Sequence, residues 1–195
     1  MNLQFYLEKL FASEKFQSFV KENPSAYLCS GFFSIDREDK GNKIHIDYVI
    51  PETKKVFSFQ LEGKVDVVPV EQIGENQKEG QIALDKIADN VDFDFGEIEK
   101  MIEEKMGKEG IKNKIQKILL SLQNADTLNG TSGKNILIGT VFISGLGIIK
   151  VKIDLAHHGR TPKDFGKKSL QGAKMHITEF EKKSFFDMMK IVRKK

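Results

Sequence analysis

Apolar and polar residues alternate with several different periods along this chain, and each change of period marks an element. Leu3, Tyr6, Leu7, Leu10 and Phe11 recur at three- and four-residue spacing, which predicts a helix. Phe16, Phe19 and Val20 keep helical spacing but fall on another side, together with Phe5. Ser13 removes the conflict if it caps a second short helix. Otherwise one helix is apolar nearly all round and has to be buried or docked on a partner. Asn23-Pro24 ends the segment, because the residue before a proline resists helical geometry.

Period two follows. Tyr27, Cys29, Gly31, Phe33 and Ile35 alternate, with Leu28 and Phe32 making the opposite face partly apolar. Ile44, Ile46, Tyr48 and Ile50 alternate cleanly with His45 and Asp47, as a half-buried antiparallel strand does. Phe57, Phe59 and Leu61 continue the inward face, and Val65 to Val70 adds a short strand that Pro69 confines to an edge or a bulge. Helical spacing then returns. Leu84, Ile87, Ala88 and Val91 form a short stripe, and Asp94 with Glu97 makes a capping-box-like start for a helix through Met106. Gly107 and Gly110 break it, and Ile111, Ile115, Ile118, Leu119 and Leu122 predict a further helix.

The last third reads as strands again. Ile136 to Ile143 is a buried strand, Ser144 to Gly147 a hairpin connection, and Ile149, Val151, Ile153 and Leu155 face inward while Lys150, Lys152 and Asp154 face out. Ala173, Met175 and Ile177 predict one more strand, and Thr178 with Glu181 starts a final helix carrying Phe185, Met188, Met189 and Val192. The order α-βββ(β)-α-ββ(β)-α predicts an α+β protein, helices packed on an antiparallel β-sheet. It resembles the order of the type III secretion chaperone-like fold: helix, three strands, helix, two strands, helix. The resemblance implies a domain that binds other proteins and pairs into dimers.

Composition narrows the class. With 195 residues, 39% of them apolar and 30% charged, the chain fits one globular core over 1–195, any subdivision falling near 76–94. Fifteen phenylalanines fill such a core well. Cys29 is the only cysteine, so no intrachain disulfide forms, and a thiol in a strand reads as a small hydrophobe. The first residues lack the basic start and unbroken apolar run of a signal peptide, and a cytoplasmic location is expected. The longest uncharged stretch, Asn135 to Ile149, falls short of the ~20 residues a membrane helix needs, so no membrane span is predicted.

Charge is uneven. Glu62 to Glu104 carries 13 acids against 4 bases, whereas Lys150 to Lys195 carries 13 bases against 5 acids. Such a basic end points to an anionic partner or to a surface that attracts the acidic middle. Lys150, Lys152, His157, His158, Arg160, Lys163, Lys167 and Lys168 are the candidate anion-binding residues, with Lys174 behind them. Only Phe165 interrupts them as an aromatic, which gives little platform for stacking bases.

Catalytic signatures fail on named residues. His157-His158-Gly159 after an apolar strand looks like a late motif of metallo-β-lactamase-fold hydrolases, but the upstream His-x-His-x-Asp-His cluster is missing. Gly130-Thr131-Ser132-Gly133-Lys134-Asn135 lacks the first glycine and the final Ser/Thr of a phosphate loop. The sequence calls for no cofactor and no metal. Three readings result: a non-enzymatic protein-binding, adaptor or chaperone-like domain, meeting a protein partner or itself through Phe5, Phe16 and Phe19; a nucleic-acid or polyanion binder using 150–174; and an enzyme of another type built on His157 and His158.

Overall fold

The computed structural model describes residues 2–37, 41–70, 85–87, 91–124, 135–155 and 175–184. Two nine-residue helices open the chain, α1 (Leu3–Phe11) and α2 (Glu14–Glu22). The Asn2 side chain accepts from the Phe5 amide at 3.1 Å and starts α1; the Ser13 hydroxyl accepts from the Phe16 amide at 3.3 Å and starts α2. Ser13 therefore breaks the segment, as its capping chemistry predicts. The break lets Leu3, Leu7 and Leu10 of one helix, and Phe16 and Phe19 of the next, all face the core.

Four strands follow: β1 (Tyr27–Asp36), β2 (Lys43–Ile50), β3 (Lys55–Gln60) and β4 (Asp66–Val70). The helix α3 (Phe95–Lys108) comes next, capped by Asp94 accepting from the Gly96 and Glu97 amides at 2.8 and 3.1 Å. It closes where Gly110, at φ +71°, lets the Gly110 amide reach the Gly107 carbonyl and the Ile111 amide the Met106 carbonyl. Four more strands complete the chain's described part: β5 (Ile115–Asn124), β6 (Asn135–Ile143), β7 (Gly147–Leu155) and β8 (Met175–Ser184).

All eight strands form one antiparallel sheet in the order β4-β3-β2-β1-β5-β6-β7-β8. The protein is thus an α+β fold on an antiparallel sheet, as the pattern predicts. Its topology is twofold in character: a helix and a four-strand meander, twice, joined where β1 pairs with β5, Phe33 opposite Leu120. The three helices bury their apolar sides against one face, whose core runs from Phe33, Ile46 and Phe59 to Leu122, Leu137 and Ile153. On the other face, Cys29, Val49 and Val56 make a small separate cluster with Tyr27.

Three segments differ from the sequence reading. The helix expected from Ile111 to Leu122 is β5, a central strand. Ile118, Leu120 and Leu122 face the core and Leu119 the opposite side, so both periods fit the same residues and the sheet neighbours decide. The helix expected to start at Thr178 is strand through Ser184, paired along β7, and the rest of that predicted helix lies outside the described residues. Of the stripe from Leu84 to Val91, residues 85–87 and 91 are not helical. Ile87 is fully buried, and its amide donates to the Leu28 carbonyl at 2.9 Å. Pro69 lies in β4 at the sheet edge, as predicted. Among the described residues, no helix is long and apolar enough to cross a membrane.

Candidate functional site

The three phenylalanines read as partner contacts part company. Phe5 is 50% exposed on α1, whereas Phe16 and Phe19 are 8% and 9% exposed and belong to the core. Once Ser13 restarts the helix, both rings turn to the sheet. Phe16 lies 5.0 Å from Tyr48 and 5.2 Å from Phe59, and Phe19 lies 5.2 Å from Phe57 and Phe59, all ring centroid distances. In exchange, two residues that the pattern placed elsewhere are exposed: Phe11, at 45%, and Val20. Helical spacing put Phe11 on the inward stripe; it is the last residue of α1 and lies on the flank of the buried line of Leu3, Leu7 and Leu10.

Beside α2 an open groove of about 740 Å³ runs towards β2, β3 and β4, with Phe19, Ile50, Phe57 and Val67 among its apolar lining and Glu14, Lys15, Glu22 and Lys55 among its charged lining. Lys15 donates to Asp66 at 2.6 Å, joining α2 to the edge strand. That bond first, and the Val67 amide second, hold the Asp66 carboxyl below its usual range. Among the described residues, no histidine or cysteine lines the groove. Its chemistry is apolar contact with a charged rim.

On the face opposite α1, α2 and α3, helix-free among the described residues, the basic segment begins as predicted, with Lys150 and Lys152 projecting from β7. They meet acids that the sequence reading had assigned to a helix. Lys152 donates to Glu179 at 3.4 Å, Lys150 stands opposite Glu181, and Glu181 also pairs with Lys183 at 3.2 Å. His157, His158, Arg160, Lys163, Lys167, Lys168 and Lys174 lie outside the described residues. The other two histidines are apart: His45 is 3.4 Å from Glu62, and His176 sits opposite Asp154 on β8.

Cys29 is buried, and its thiol donates to the Asp47 carbonyl at 3.3 Å. Burial, helped by the nearby Asp47 charge, pushes its pKa up to about 12, so it stays protonated at neutral pH. Among the described residues, no group of three or more His, Cys, Asp or Glu side chains is placed to hold a metal ion. Comparison with family models, with curated proteins and with solved structures finds no match.

Proposed function

We propose that this protein is a non-enzymatic protein-binding domain, an adaptor or chaperone-like module, which meets its partner on the solvent side of α1 and along the α2 groove. The observation that carries this reading is the exposure of two large aromatic rings, Phe5 and Phe11, on one short helix. Exposed rings are costly in water and enriched where proteins meet. Phe5 stacks edge-on against Tyr6, and Phe11 lies 5.3 Å from Phe16, so both rings are held in place before any partner arrives.

The test is a photo-crosslinking residue in place of the exposed Ala12, in cells of the natural host. A discrete adduct is expected, and Phe5→Ser with Phe11→Ser should abolish it while the melting temperature stays within a few degrees. No adduct, or one indifferent to the double substitution, sinks the reading. Polyanion binding by 150–174 has less behind it, since Glu179 and Glu181 stand beside the two lysines that the structure describes.

A further inference from the structure

The two edges of the sheet are guarded differently. On β4, Pro69 has no amide proton, and the Val67 amide donates to the Asp66 carboxylate at 2.9 Å, so this five-residue strand offers little to an incoming chain. The other edge, β8, has ten residues and no proline, and among the described residues no strand lies beyond it. Thr178 is the extra residue at the register shift opposite Lys152 and Ile153, and its hydroxyl donates to the Lys152 carbonyl at 3.2 Å. Past that bulge, Glu179 to Ser184 pairs with β7 residue for residue.

Charged side chains on an edge ordinarily keep other strands away. Here their order makes an exception for one partner. The run is acidic first, at Glu179 and Glu181, and basic second, at Lys182 and Lys183. Pairing with β7 places Glu179, Glu181 and Lys183 on the helix-free face, and Phe180 and Lys182 on the helix side, opposite Val151 and Ile149. A strand charged in this order is complementary to its own reverse.

We propose that β8 is a docking edge for a second copy of this chain, two β8 strands pairing antiparallel about Glu181 so that the sheet continues across a twofold axis. In this register each Glu179 faces Lys183 of the second copy, and each Phe180 ring is covered by the stem of Lys182 of the second copy. The two Glu181 side chains face one another, each held by its own Lys183 at 3.2 Å. Sliding by one same-face step in one direction sets Glu179 against Glu181 twice; the other direction sets Glu181 against Lys183 twice but Lys182 against Lys182, and takes Lys182 away from Phe180. Like charges directly opposite destabilise a strand pair, which rules out the first slide. The central register is preferred to the second because its one like pair, Glu181 with Glu181, is relieved by Lys183 on each chain and Phe180 keeps Lys182 opposite. The proposal is independent of the α1–α2 surface, and either can fail alone.

Sedimentation of the full chain tests it. A concentration-dependent dimer is expected. Lys183→Glu, which sets an acid against Glu179, should raise the dimer Kd at least tenfold, about 1.4 kcal/mol. Adding Glu179→Lys to Lys183→Glu restores opposite charges and should return the Kd to within about threefold of the natural chain. Amide exchange supplies a second readout: amides 179–184 should slow as the chain is concentrated, and amides 66–70 should not. A chain still monomeric at about 100 µM, or a dimer indifferent to Lys183→Glu, overturns the proposal. If Lys183→Glu does not fold, amide exchange on the natural chain decides alone: unchanged rates at 179–184 reject the edge.

Discussion

The first helix-and-meander unit, 14–70, holds its helix on the sheet through aromatic rings, whereas the second, 95–184, relies on aliphatic side chains, with one ring, Phe95 at the start of α3, lying 5.2 Å from Phe33 of β1. In the first, Phe16 and Phe19 of α2 lie against Tyr48, Phe57 and Phe59, mostly edge to face. In the second, Ile98, Ile102 and Met106 of α3 join Ile118, Leu120, Val141 and Ile149 in the same core. The helices differ in length too, nine residues against fourteen. A nine-residue helix is marginal on its own, so tertiary contact has to fix it. Edge-to-face rings have preferred angles as well as area, and can position a short helix with few residues. Aliphatic contacts are less directional, and the longer helix spreads them over more turns. α3 has a further tie, as Arg37 at the end of β1 donates to Glu99 and Glu103.

The most damaging test of this contrast is Phe59→Ala, which empties the centre of the ring cluster. It should cost about 3–5 kcal/mol in urea unfolding, and near-ultraviolet dichroism should show the remaining rings losing their fixed environment. A milder pair separates geometry from area. Phe59→Leu removes the ring partner of Phe16, Phe19 and Tyr48, and should cost about 2–3 kcal/mol. Ile149→Val, which removes a similar volume in the aliphatic unit, should cost about 0.5–1.5 kcal/mol. Equal losses would mean that the rings act only as bulk.

Two glycines extend the comparison. A Cβ on Gly139, in β6, would come within 2.5 Å of a Val151 methyl and 3.0 Å of a Leu120 methyl, both packed between strands. Gly139→Ala is expected to cost about 1–3 kcal/mol, read from the urea midpoint. A Cβ on Gly31, in β1, would meet the Phe33 ring at 2.9 Å, two residues along the same strand. The overlap is smaller than at Gly139, so Gly31→Ala should cost less. The reverse ranking would place the tighter packing in the aromatic unit.

Pattern reading succeeds where one local feature decides. Ser13 and Asp94 are read correctly as caps because capping needs only a side-chain oxygen and the next turn. The clean alternation of β2 and β7 is read correctly because each has one inward and one outward face. It fails at β5, where Leu119 on the outer face completes a helical stripe with Ile115, Ile118 and Leu122. What settles β5 is pairing with β1, far away in sequence, and with β6, the next strand along. Thr178 and Glu181 mimic a capping box, and assigning them to a helix hid Glu179 and Glu181 from Lys152 and Lys150.

Buried polarity also sits unevenly. Asn124 and Asn135 stand directly opposite at the end of the β5–β6 pair, on the core side. Asn124 donates to the Lys86 carbonyl at 2.9 Å, whereas both polar atoms of the Asn135 side chain, 1% exposed, have no hydrogen-bond partner among the described residues. An unsatisfied buried amide costs about 1–3 kcal/mol, and Asn135→Leu should recover about that much. A loss of stability instead would mean that an ordered water bridges Asn135, and that the polar pair pins the β5–β6 register.

The smallest effect belongs to Cys29, on the outer face of the aromatic unit. Its thiol is held protonated up to about pH 12 in the folded chain, while an unfolded chain ionises it from about pH 8.5. Between these values the unfolded state binds fewer protons than the folded one, so stability falls as pH rises. The full contribution is present below about pH 8.5, and the loss is about 1.4 kcal/mol one unit above it. Tyrosines and lysines titrate nearby, so the measurement is the difference in urea midpoint between the natural chain and Cys29→Ala at pH 7.5 and 9.5. The advantage of the natural chain should shrink at the higher pH, and a thiol reagent should label Cys29 only at the rate of unfolding. Rapid labelling of the folded chain, or a pH-independent difference, would mean that water reaches this side of β1 and that the small cluster with Val49 and Val56 does not seal it.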